Sequence, residues 1–202
     1  MFIPRHPVVE NQFCQFNETD ETGGVGGVLA YAGSVCYLVD AATNQDAIVN
    51  IYGAAAPTDT GGQRDPFGFL MQKVKTGYHS VHPTGFMMPG DLGSSDVIAQ
   101  PKYNSSTGAI NGSKDAPVGV AHLGIWDTIH YTVSGTTNLH PGVELGIAPG
   151  AGSLGGKVIH YADRMMGIDT YVAKVVKGAS TGQVAANVAN TTLYPIRIKL
   201  LI

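Results

Sequence analysis

The chain has 202 residues, enough for one large β domain or two small ones. Charged residues make up only 13%, and 12 Lys and Arg face 15 Asp and Glu, for a formal net charge of −3. That balance, with no basic run to neutralise phosphates, argues against a nucleic-acid binder.

Glycine accounts for 27 residues, roughly twice average usage. Together with short runs of Val, Ile, Thr and Tyr, this predicts a β-rich fold with many tight turns. No stretch approaches about 18 uninterrupted apolar residues, so no membrane span is expected. Met1 to Pro7 lack the charged and then apolar pattern of a secretory signal, so synthesis in the cytoplasm is expected. Cys14 and Cys36 are expected as free buried thiols, because two cysteines do not make a disulfide framework.

Residues 1–22 read as an arm. Pro4 and Pro7 discourage regular structure, and 17–22 form a solvated acidic patch. Yet Phe2, Ile3, Val8, Val9, Phe13 and Phe16 are too apolar for a free tail. Gly23-Gly24-Val25-Gly26-Gly27 follows as a hinge. An apolar arm ahead of such a hinge is expected to dock on a partner. These six residues, with the adaptable pair Met87-Met88, are therefore the candidate partner-interface residues. Removing residues 1–22 is then expected to spare thermal stability and weaken assembly.

Beyond the hinge, 28–31, 34–39 and 47–52 read as strands, and 54–64 as a loop with Pro57, Gly61 and Gly62. Residues 65–75 read as one strand. Leu70, Gln72 and Val74 share one face, Phe69, Met71, Lys73 and Lys75 the other, and Gly68 permits a close approach or a bulge. Short extended pieces follow at 78–81 and 96–99. Asn104 to Gly108 reads as a hairpin tip, and Asn111-Gly112 as a tight turn of the primed type. Further strands are expected at 118–123, 128–133, 143–147, 157–161 and 168–176, with a flexible Gly-rich loop at 148–156. Residues 180–190 fit a helical turn or a loop equally. At the end, Ile196, Ile198 and Leu200 alternate with Arg197 and Lys199, so one face is buried and the other wet. About twelve short strands with no clear helix predict an all-β antiparallel sandwich or barrel with long Gly-rich loops.

Pro66-Phe67-Gly68-Phe69-Leu70 and Pro117-Val118-Gly119-Val120-Ala121 start alike, and Met166-Gly167-Ile168 repeats the pattern without proline. Gly68, Gly119 and Gly167 fall 51 and 48 residues apart. This spacing predicts a body at 28–202 built from about three similar β units, preceded by arm and hinge at 1–27.

Searches for chemistry yield little. Gly150-Ala151-Gly152-Ser153-Leu154-Gly155 matches a dinucleotide fingerprint, but β-like residues follow where the fingerprint needs a helix. His79 and His82 do not converge on a strand, and no carboxylate or cysteine joins them at ligand spacing. Ser34, Ser80 and Ser153 lack a local base, and Asp127 near His130 is a pair rather than a triad. No catalytic, cofactor or metal residue is assigned, and the chain is not expected to be an enzyme. Trp126 with Tyr131 and His130 is a candidate sugar-stacking platform, although core is the commoner fate of a tryptophan.

The apolar arm, the Pro-Phe-Gly-Phe-Leu and Pro-Val-Gly-Val-Ala strand starts, and Pro195-Ile196-Arg197-Ile198-Lys199-Leu200 carry a family resemblance. With the Gly-rich loops and sparse charge, the chain resembles the capsid decoration, or cement, proteins of tailed bacteriophages. The resemblance implies a tulip-like β body, an extended arm, and attachment to the outside of a capsid. The expected partners are the major capsid protein and other copies of the chain, as a homotrimer, with no nucleic acid and no membrane. The alternative expectation is the receptor- or glycan-binding head of a phage fibre, using Trp126 and Tyr131.

Overall fold

We describe the fold from a computed structural model. It covers residues 2–5, 11–16, 28–39, 47–57, 65–75, 96–98, 100–103, 110–114, 116–134, 138–188 and 194–202. Along the chain run β1 (Phe2–Pro4), β2 (Asn11–Phe16), β3 (Val28–Ala30), β4 (Val35–Leu38), β5 (Ile48–Ile51), β6 (Pro66–Leu70), β7 (Lys73–Lys75) and β8 (Asp96–Ile98). Then come β9 (Gln100–Tyr103), β10 (Ile110–Lys114), β11 (Ala116–Ala121), β12 (Ile125–Thr128), β13 (Glu144–Ile147), β14 (Val158–His160), β15 (Ala173–Lys177), α1 (Thr181–Val188) and β16 (Ile196–Leu200).

Two sheets dominate. One is antiparallel, with strand order β1-β12-β16-β15-β13-β14. The other closes as a five-stranded barrel, β11-β2-β5-β4-β6, antiparallel except between β2 and β5. Closure removes the free edges that an open sheet must protect. The fold is all-β, as the turn spacing and period-2 patterning predict, with α1 formed at 181–188 where the sequence fitted helix or loop equally.

Where β4, β6 and β11 form it, the barrel wall is buried on both sides, which explains their apolar runs. Successive side chains of a strand point to opposite faces. On β4, β6 and β11, Val35, Phe69 and Ala121 face a core shared with the six-stranded sheet, whereas Cys36, Leu70 and Val120 face the barrel interior. Cys14 and Cys36 are free thiols in that interior. Burial pushes the Cys36 pKa far above that of an ordinary thiol.

Gly68 serves both purposes its sequence allows. A Cβ there would lie 2.4 Å from a methyl of Val120, so β11 approaches only because none exists. The β4–β6 register also shifts at this point, since Cys36 pairs with Gly68 and Tyr37 with Pro66. Residues 65–75 do not form one strand. The ladder between β6 and β11 stops at Leu70 and Val120, and the Gln72 side chain then accepts the Gly119 N–H at 2.7 Å. Met71 N–H still donates to the Gly119 carbonyl at 2.8 Å, so the side chain replaces only the other half of that rung, after which the chain leaves the barrel into the sheet β3-β7-β8.

Other expectations are corrected. Asn111-Gly112 lies inside β10, at an irregularity in its pairing with β9, and is not a hairpin turn. The strand expected at 128–133 sits at Ile125–Thr128, and the one expected at 168–176 sits at Ala173–Lys177. The similar strand starts of β6 and β11 are neighbours in the barrel, but Gly167 occupies a left-handed turn at φ +88°, outside any strand. The Gly-rich loop at 148–156 is packed. Gly150 donates to the Gly53 carbonyl, Val35 donates to that of Gly156, and a Cβ on Gly155 would sit 2.0 Å from the Tyr52 carbonyl oxygen.

The largest correction concerns the arm. β1 and β2 belong to the chain's own body. Phe2 is fully buried and stacks on both Trp126 and Phe69, and Phe16 and Cys14 lie in the barrel core. Burying one such side chain is worth about 1.5–3 kcal/mol. Pairing of β1 with β12, and of β2 with β11 and β5, adds backbone hydrogen bonds, so that energy goes into folding.

Candidate docking surface

Alternation in the six-stranded sheet turns Phe2, Trp126, Thr128, Ile196, Ile198, Leu200, Ala173, Val175 and Leu145 inward. The residues between them form the outer face. Arg5 and Asp127 lie at one side, Arg197 and Lys199 at the centre, Lys174, Val176 and Lys177 on β15, and Glu144 on β13. Six of the twelve Lys and Arg residues lie on this face once Arg164 is included.

Asp127 organises one end. It accepts from Arg5 Nε at 2.6 Å and from Arg197 Nε at 2.8 Å. Burial alone raises a carboxyl pKa, but hydrogen bonds and charge from the two guanidiniums outweigh it and hold Asp127 below the ordinary range. The trio ties the end of β1 to β12 and β16.

An aromatic and arginine cluster forms the other end. Arg164 and Tyr161 pack over Gly146, where a Cβ would meet the Arg164 side chain at 2.7 Å. The Arg164 guanidinium lies 4.1 Å from the Tyr161 ring centre, donates to the Ile168 carbonyl at 3.0 Å, and pairs with Asp169. Tyr171 packs on Tyr161 with ring centres 4.1 Å apart, and its hydroxyl hydrogen-bonds Glu144, whose charge raises the Tyr171 pKa. Val176 on β15 and Leu201 after β16 are exposed, and Met166, two residues after Arg164 in the chain, is 92% exposed.

The residues expected at an interface lie elsewhere. Phe2 and Phe16 are core, which removes them from any contact with a partner, and Ile3 is half-buried in β1. Phe13 lies in β2, paired with Gly119. Val8, Val9, Met87 and Met88 fall outside the described residues, as do His79, His82 and the glycine hinge at 23–27. Trp126 and Tyr131 are buried, with Trp126 donating to the Leu123 carbonyl and Tyr131 to that of Tyr194, so they form no sugar platform.

One contact was invisible in the sequence. The Ser34 hydroxyl lies 2.9 Å from His130 Nε2, and both lie within 3.2 Å of the Gly155 carbonyl oxygen. Ser34 and His130 are 96 residues apart, and no local motif brings them together. Both are buried, and burial lowers the His130 pKa to about 4, so the ring is neutral at pH 7. The group stitches β4, the Gly-rich loop and the segment after β12 together. Asp127 engages the arginines and leaves His130 to Ser34. Among the described residues, no group of three or more His, Cys, Asp or Glu is placed to hold a metal ion.

Comparison with family models, curated proteins and solved structures found no match.

Proposed function

We propose that this chain is a structural protein that works by binding another protein, and specifically a decoration protein that attaches to the outside of a phage capsid and stabilises the shell. The observation that carries the protein-binding part is the cluster of Tyr161, Arg164 and Tyr171 on the outer sheet face. Tyr and Arg are enriched where proteins bind one another, and a preformed cluster loses little entropy on binding. The capsid assignment rests on the family resemblance, which also implies a homotrimer. Chemistry is a poorer reading, because the Ser34–His130 pair is neutral and sealed from substrate.

The test is co-sedimentation of the purified chain with capsids stripped of their decoration, together with the heat resistance of those capsids. Saturable addition with a raised rupture temperature is expected. Recovery of all the chain in the supernatant would refute the capsid assignment.

A further inference from the structure

We infer that the outer face of the six-stranded sheet, centred on Lys174, Lys177, Arg197 and Lys199, docks on a carboxylate-rich protein surface. The inference rests on the structural reading above and names the chemistry of the partner.

The ladder itself points to this. Lys174 stands directly opposite Lys199, and Lys177 directly opposite Arg197. Like charges facing each other across a sheet are destabilising, whereas opposite charges there stabilise. Two such pairs lie side by side on β15 and β16, in a chain whose overall charge is negative. Local carboxylates relieve only part of this. Asp127 takes Arg5 and Arg197, Glu144 reaches Lys174 at 3.7 Å, and Asp169 takes Arg164. Six cations therefore face three carboxylates, and Lys177 and Lys199 make no ion pair among the described residues.

The chemistry of the face selects a protein over a nucleic acid. A polyphosphate needs a continuous row of cations, whereas Asp127, Glu144 and Asp169 break this face into separate positive positions. Exposed Val176 and Leu201 offer apolar contacts to a protein surface. Acidic side chains between them match Lys177 and Lys199, and complementary charge of this kind fixes register and speeds association.

The test uses the full chain and a double charge reversal, Lys177→Glu with Lys199→Glu. Both lysines are exposed, so the fold should be retained, and the neutral pair K177Q with K199Q serves if it is not. Poly-L-glutamate and double-stranded DNA are the soluble probes, and stripped capsids the particulate one. The chain should bind poly-L-glutamate in a salt-sensitive manner and more tightly than DNA. The reversed variant should lose tenfold or more, and the neutral variant less. Tighter binding to DNA, or a reversed variant that binds poly-L-glutamate unchanged, overturns the inference. Capsid binding by the chain that survives reversal also overturns it and leaves the capsid assignment standing. Lysine-dependent binding to poly-L-glutamate with no capsid binding keeps this face and removes the capsid assignment.

Discussion

Phe2 lies flat on Trp126, with ring centres 4.4 Å apart and ring planes 6° apart. The other side of Phe2 faces Phe69 at 5.6 Å, so the second residue of the chain links the sheet to the barrel wall. Truncation of a buried phenylalanine costs about 3 kcal/mol or more. In a chain of this length each kcal/mol moves the midpoint by roughly 2–4 °C. Phe2→Ala should therefore lower the melting temperature by roughly 6–12 °C. An unchanged midpoint in differential scanning calorimetry would show that β1 is dispensable to the body.

The sequence misplaced this residue for a physical reason. Pro4, Pro7 and a run of glycines are local signals of an arm, whereas the docking of Phe2 depends on Trp126 and Phe69, far away along the chain. Local alternation was enough for β16, where Ile196, Ile198 and Leu200 are buried and Lys199 is exposed. It also revealed Arg197 and Lys199 as the wet face of that strand. It could not show that Lys174 and Lys199 are opposite one another, because cross-strand register is not written in either strand alone. The same limit hid Ser34 from His130. Gln72 was read on one face with Leu70 and Val74, and all three are buried, but its use at the end of a ladder was beyond the reach of periodicity.

Asp127 carries the link between β1 and β16. Its pKa is held below the unfolded value of about 3.9. The carboxylate's contribution is therefore complete above about pH 4 and lost as pH falls through the folded value. Asp127→Asn should cost about 2 kcal/mol at pH 7, and the gap to the native chain should close in strong acid. Urea titrations at pH 7 and pH 3 check this. A gap that stays constant with pH would mean the arginine pairs contribute nothing.

His130 acts in a different window. Its folded pKa is about 4, against an unfolded value of 6.5. The unfolded chain thus takes up a proton between pH 6.5 and pH 4 that the folded chain refuses, and stability falls as pH drops through this range. The loss from this group should be about 3 kcal/mol, at 1.36 kcal/mol per pKa unit. His130→Gln should be flatter than the native chain over that range. Equal slopes in denaturant titrations at pH 7, 5.5 and 4 would exclude the assignment.

Gly155 should tolerate no side chain. A Cβ would sit 2.0 Å from the Tyr52 carbonyl oxygen, and backbone on both sides leaves nothing to yield. At Gly53 a Cβ would meet nothing within 4 Å. Gly155→Ala should cost about 3 kcal/mol or more, in the range of severe packing defects, and Gly53→Ala less than about 1 kcal/mol. Similar midpoints for the two variants would show that the Gly-rich loop is not packed against the end of β5.

The most direct test of the proposed capsid attachment through the outer sheet face is hydrogen–deuterium exchange on the full chain, free and mixed with stripped capsids. Binding through the outer sheet face predicts added protection at 161–177 and 197–202, with little change in the barrel strands at 66–70 and 116–121. Protection confined to the barrel, with the outer sheet face exchanging as in the free chain, would contradict it.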